Sequence, residues 1–88
     1  MKYQVKVTSK ALKQLKKLDK VHSEQILRWI NKNLKDIENP YLIGKQLKGN
    51  LGQYWRYRVG NYRIISKIDN QQLIVLLVAV AHRREVYE

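Results

Sequence analysis

Four cations and four aromatic rings crowd into Gln53 to Lys67, QYWRYRVGNYRIISK. Arginine presents a planar fork that binds phosphate oxygens bidentately. Aromatic rings beside such a fork can stack on unpaired bases. The Gly60-Asn61 pair divides the segment into two short runs of strand character, which predicts a hairpin with a two-residue turn. Side chains alternate along a strand. Tyr54, Arg56 and Arg58 therefore share one face, with Trp55, Tyr57 and Val59 on the other as expected core. With that turn Val59 pairs with Tyr62, and Arg58 sits directly opposite Arg63. Arg63, Ile65 and Lys67 then join the face of Arg56 and Arg58. Like charges directly opposite one another destabilise a sheet. A fold that builds in this repulsion is expected to hold the charge for an anion.

Other chemistries are poorly supplied. The chain has no Cys, which removes disulfides, thiolate–zinc sites and thiol nucleophiles and fits a reducing, cytoplasmic setting. The glycines between Gly44 and Gly52 lack the strand and helix context of a phosphate-binding loop. No carboxylate cluster is present for magnesium, so neither a metal nor another cofactor is expected. His22 and His82 are the only histidines. His22 reads as surface at a helix boundary, and nothing in the sequence brings the two together. What remains is a metal-free phosphate site. RNA cleaves itself when a 2′-hydroxyl attacks the adjacent phosphate. A protein assists by orienting the atoms, moving two protons and stabilising the added charge.

The elements that must position these residues fit one domain of 88 residues, spanning 1–88. Hydrophobic residues make up 44%, with two Trp and six Tyr but no Phe, an adequate supply for a small core. Tyr3, Val5 and Val7 alternate with polar residues and predict a first strand. Thr8 or Ser9 caps a helix with an Ala11, Leu12, Leu15, Leu18 stripe. Asp19 to Ser23 reads as a break. A second helix carries Ile26, Leu27, Ile30, Leu34 and Ile37, ending at Asn39-Pro40. Tyr41 to Gly52 reads as loop. After the hairpin, Asp69 to Gln72 turns into Leu73–Val80, a run apolar enough for a central strand covered on both faces. The predicted fold is α+β in the order β-α-α-β-β-β. A helical hairpin packs on a mostly antiparallel four-stranded sheet, and the basic face of the β-hairpin is left open.

Net charge is +11, from 18 Lys and Arg against 7 acids. Between Asn39 and Ile68 there is no acid, while Lys45, Lys48, Arg56, Arg58, Arg63 and Lys67 all lie there. An acidic partner is expected, and nucleic acid suits a basic face flanked by aromatics. No secretion signal or membrane-length apolar run is visible, and no membrane partner is expected.

GKQLKG, then WRYRVGNYRII, then a hydrophobic strand, then HRREVY resembles the RelE/ParE superfamily of bacterial toxins, on the RelE side. The likeness covers nearly the whole chain. It implies a small endoribonuclease that cuts mRNA in the A site of the 70S ribosome, leaving a 2′,3′-cyclic phosphate and a 5′-hydroxyl. It also implies a cognate antitoxin, acidic where it contacts the toxin. By position the resemblance places the two basic strand residues at Arg56 and Arg58, the charge-stabilising arginine at Arg63, the acid at Arg83 and the substrate-orienting tyrosine at Tyr87. RelE carries lysines where this chain has Arg56 and Arg58, and the second lysine is its proposed base. Arginine stays protonated and is a poor general base. His82, by its intrinsic pKa, and Glu85 are the candidates to take the proton. Lys45, Lys48, Arg56 and Lys67 are expected RNA-backbone contacts. Two other readings compete. A ParE-like poison of DNA gyrase shares the fold but generally lacks these basic residues and the terminal tyrosine. A non-catalytic RNA-binding module needs the basic face without a proton-transfer group.

Overall fold

The computed structural model describes residues 1–82. Strand β1 (Gln4–Val7) leads into helices α1 (Ser9–Lys17) and α2 (Lys20–Asn33). Strands β2 (Lys45–Gln46), β3 (Trp55–Val59), β4 (Tyr62–Asp69) and β5 (Ile74–His82) follow. They form one sheet in the order β1-β5-β4-β3-β2, with β1 parallel to β5 and every other pair antiparallel. No helix among the described residues is long and apolar enough to cross a membrane.

Each helix starts on a side-chain cap. Thr8 Oγ1 accepts from the Ala11 backbone N–H at 3.1 Å, and Asp19 Oδ1 accepts from that of His22 at 2.9 Å. Such caps satisfy amide donors that a helix start leaves orphaned. Asp19 is therefore a cap rather than part of a five-residue break, and only Leu18 and Asp19 separate the helices. Helix α2 also ends earlier than expected. The backbone N–H groups of Leu34 and Lys35 both donate to the Ile30 carbonyl, and Asp36 takes a left-handed φ of 59°. Leu34 and Ile37 still pack inward from this closing turn, so the apolar spacing outlasts the helix itself.

The sheet has five strands where four were expected. The extra one, β2, lies in the Tyr41–Gly52 stretch and is two residues long, too short to show a period. Its entry is tightly constrained. Gly44 has φ +79°, and a Cβ there would collide with the Arg56 carbonyl oxygen. Two aromatic donors hold the same loop: Trp55 Nε1–H to the Ile43 carbonyl at 2.8 Å and the Tyr57 hydroxyl to the Pro40 carbonyl at 2.7 Å. Tyr57 is fully buried, and burial pushes its phenol well above the ordinary range, so it stays a donor.

Both helices cover one sheet face. Ala11, Leu15, Ile26, Ile30 and Leu34 meet Tyr57, Val59, Ile64, Val75, Leu77 and Val80. The opposite face of β5 is only half-buried at Ile74, Leu76, Ala79 and Ala81, so this inner strand is not covered on both sides as its composition predicted. Its parity also changes partway. Ile65 pairs with Ala79 but Ser66 pairs with Leu77, leaving Val78 as a one-residue bulge. Core positions pass from the odd-numbered Val75 and Leu77 to the even-numbered Val80. Beyond the end of β1, helix α1 takes over the edge of β5. Thr8 Oγ1 donates to the Val78 carbonyl at 3.3 Å, and Gln14 Oε1 accepts from the Val80 N–H at 2.7 Å.

Two stability measurements check this account. Tyr57→Phe keeps the buried ring but strips the Pro40 carbonyl of its donor. The expected loss is about 1–3 kcal/mol in a denaturant titration, and an unchanged midpoint would deny the bond that weight. Asp19 titrates below the ordinary carboxylate range, chiefly because the His22 backbone N–H donates to it, with the His22 ring adding to the effect. Its stabilisation is complete above the unfolded carboxylate pKa and is lost as pH falls through the lower folded value. Asp19→Asn keeps a cap acceptor without the titration, so the acid limb of a melting-temperature profile should flatten.

Candidate active site

Arg58 pairs with Arg63, and Val59 with Tyr62, across the Gly60-Asn61 turn. Gly60 alone supplies the positive φ, at 57°, as expected for glycine in the first position of a primed hairpin turn. The pairing places Arg58 and Arg63 side by side on the face turned away from the helices. Arg56 lies on the same face one pleat away, and Lys45 joins it by pairing directly with Arg56. Lys67 is also on this face, four residues along β4 from Arg63. Lys48 is exposed in the loop after β2, outside the paired strands.

Exposure separates the three arginines. Arg58 is exposed, Arg63 is half-buried, and Arg56 retains only 6% of its surface. Burial, then the Arg63 and Arg58 charges, lower the Arg56 pKa from its ordinary value. The group still remains a cation near neutrality, because guanidinium starts so far above it. Arg56 therefore adds a largely buried cation to the same face and reinforces the field of the other two. A cavity of about 300 Å³ opens beside Arg56 and Arg58, lined also by Trp29, Ile43, Gly44, Lys45 and Tyr57. It combines an apolar wall with cations, and no acid lines it among the described residues. Among the described residues, no group of three or more His, Cys, Asp or Glu is placed to share a metal ion.

His82 is placed differently from the arginines. It pairs with Tyr62, while the neighbouring Arg63 pairs with Ala81. Adjacent residues on a strand face opposite ways, so His82 turns toward the helix side, away from Arg58 and Arg63. Its ring meets the Tyr62 ring edge-on, with centroids 5.4 Å apart. On the other flank of Tyr62, the His22 ring lies at 5.3 Å and its Nδ1 is 2.6 Å from Asp19 Oδ1. The two histidines thus bracket one tyrosine, an arrangement that the sequence reading did not see. The available signal was Asp19 three residues before His22, a cap spacing that also lets the side chains meet. Arg83, Glu85 and Tyr87 lie outside the described residues.

An anion placed over Arg58 and Arg63 would meet two guanidinium groups held by adjacent strands. Such donors act without reorganising when charge develops. The aromatic rings of the hairpin are mostly committed elsewhere. Tyr57 is core, Trp55 packs edge-on against Tyr41, and Tyr62 sits between the histidines. Stacking by these rings on the arginine face is therefore not part of the geometry, contrary to the first impression of the aromatic count.

Comparison with known proteins places this geometry. The family described as the ParE toxin of the type II toxin–antitoxin system parDE matches residues 5–87. A RelE-like toxin protein of Escherichia coli is 34% identical over 84 residues, covering 94% of this chain and 85% of the relative. Toxin RelG of Mycobacterium tuberculosis is 29% identical over 87 residues, covering 99% of this chain and 98% of the relative. A chain in the crystal structure of the RelBE2 toxin–antitoxin complex of the same organism superposes with a TM-score of 0.83 at 28% identity, covering 94% of this chain and 93% of that one. A family match across nearly the whole chain, a relative above the level at which kinship is secure, and a shared fold agree: the chain belongs to the RelE/ParE superfamily and is a RelE-like toxin of a type II toxin–antitoxin system.

Proposed function

We propose that this toxin is a metal-independent endoribonuclease that cleaves mRNA at the ribosomal A site and so inhibits translation. The observation that carries the reading is the direct opposition of Arg58 and Arg63 on the face away from the helices, with Arg56 buried one pleat along the same face. A phosphate seated over the pair can accept hydrogen bonds from both guanidinium groups. In the proposed reaction the 2′-oxygen attacks the adjacent phosphorus and the bond to the 5′-oxygen breaks. The 2′-hydroxyl loses a proton and the leaving 5′-oxygen gains one, giving a 2′,3′-cyclic phosphate and a 5′-hydroxyl. Arg63 and Arg58 stabilise the charge that builds on the phosphate oxygens. Arg83 donates to the leaving oxygen and Tyr87 orients the substrate, the roles that the RelE resemblance implies for them. His82, turned to the other face, is no longer assigned the base. Arg58 acts electrostatically, and Glu85 is the remaining candidate for proton removal.

Lys45, Lys48 and Lys67 extend the positive field along the RNA backbone. The cytoplasmic partners of this reading are mRNA, the 70S ribosome and a cognate antitoxin, acidic where it covers the arginine row. Charge supports that last partner, and so does the toxin–antitoxin complex in which a similar chain was solved. A second reading, a ParE-like gyrase poison, is favoured by the parDE description of the matching family. It leaves the arginine pair without a task.

Cleavage of programmed ribosomes tests the proposal. Arg63→Ala should lower the single-turnover rate by roughly 10²–10³, or about 2.7–4 kcal/mol, with a much smaller change in binding. Equal losses in rate and binding would make Arg63 a mere tether. Removing loosely held metal with a chelator, at a level that leaves ribosomes intact, should not stop cleavage, and products should carry cyclic phosphate ends. A chelator-sensitive reaction yielding 5′-phosphates would exclude the proposed chemistry.

A further inference from the structure

The positive face does not end at the arginines. Lys6 on β1 and Lys67 on β4 both pair with Leu76 of β5, from opposite sides. Directly paired residues share a face, so the three form one row, lysine–leucine–lysine, on the side away from the helices. Two inter-strand spacings put the lysine backbones roughly 10 Å apart. Gln4 and Asp69 flank Ile74 in the same way one pleat further on. Ile74 and Leu76 are half-buried, and both lysines are exposed. A cavity of about 600 Å³ stands over this floor, with Lys6, Lys67, Asp69 and Gln72 among its lining. Asp69 is the one acid there among the described residues, and its Oδ1 already accepts the backbone N–H groups of Gln71 and Gln72, at 2.9 Å each. Its carboxylate holds the turn that forms the rim.

We propose that this row is a second, non-catalytic subsite that holds a nucleotide flanking the cleaved one. The proposal rests on the ribonuclease reading and extends it. An apolar floor suits a base face, and two flanking ammonium groups suit the phosphates on either side of it. Amide side chains on the rim, such as that of Gln72, can meet base edges. Lys67 lies four residues from Arg63 on the same strand face, roughly 13 Å along β4. A single RNA strand leaving the arginine pair therefore reaches the lysine row without leaving the sheet. The function of the subsite is to align the substrate, so that flanking sequence contributes affinity while the arginines act on the phosphate.

The test is binding of labelled single-stranded RNA, an octanucleotide and a tetranucleotide, followed by anisotropy across a salt series. The proteins are the wild type, a Lys6→Gln/Lys67→Gln variant, and a Lys13→Gln/Lys16→Gln variant with the same loss of charge on α1. The Lys6/Lys67 variant should bind the octanucleotide about ten-fold more weakly. Its salt slope should fall by about 1.4, the value for two released single-strand contacts. Tetranucleotide binding should hold, and the α1 variant should change much less. Equal weakening by both variants would overturn the subsite in favour of a diffuse field. An unchanged Lys6/Lys67 variant, beside a wild type that binds RNA, would overturn the subsite alone. A wild type that binds no free RNA would overturn the subsite, while the ribonuclease reading stands or falls on cleavage of programmed ribosomes. Lysine-dependent capture of an oligoglutamate peptide, without lysine-dependent RNA binding, would overturn it in favour of an acidic protein partner.

Discussion

A two-residue turn at Gly60-Asn61 sets the register on which this molecule depends. Strand side chains alternate with period two, so a slip of one residue would move every hairpin side chain to the other face. In the observed register Tyr57, Val59, Tyr62 and Ile64 face the helices, and Arg58 and Arg63 meet on the opposite side. Core burial and the opposed arginines are consequences of the same pairing. The hydrophobic face enforces a register that electrostatics alone would reject. Burying Tyr57, Val59 and Ile64 contributes roughly 1.5–3 kcal/mol for each large side chain. That outweighs a cross-strand repulsion of at most about 1 kcal/mol. Concentrated charge is thereby maintained by apolar packing on the reverse of the same strands.

The second controlling feature is the bulge at Val78. Without it the strict alternation of β5 would continue, and His82 would share a face with Leu76 and Lys67. The extra residue reverses the parity, sends Val80 into the core and turns His82 toward Tyr62. Two polar side chains, Thr8 at the cap of α1 and Gln14 within it, bond the backbone of β5 where β1 no longer can. Thr8 serves both sides at once, capping α1 and meeting the bulge carbonyl. The helix start and the bulge are thus coupled through one hydroxyl.

Much of this was legible in the sequence because it follows from local periodicity. The α+β class, the two helices, the hairpin and the Arg58–Arg63 pairing all came from alternation, capping residues and the Gly-Asn turn. What was not legible depends on tertiary contacts. The two-residue β2 has no period of its own and exists because Trp55 and Tyr57 anchor the loop before it. The end of α2 is decided by a left-handed Asp36, while the apolar spacing carries on past it. A bulge adds one residue and leaves no composition signal, so the face that His82 takes was not readable from the sequence. The burial of Arg56 was equally hidden, since alternation gives a face but not its coverage.

On the proposed reading the arginine row stabilises a phosphate under attack in RNA. The most direct test is to induce the toxin in growing cells and map RNA 5′ ends and DNA breaks in the same cultures, for wild type and Arg63→Ala. The expected result is new 5′-hydroxyl ends within translated mRNA in the wild type, their loss with Arg63→Ala, and intact DNA in both. Intact mRNA with accumulating DNA breaks, and toxicity undiminished by Arg63→Ala, would contradict it.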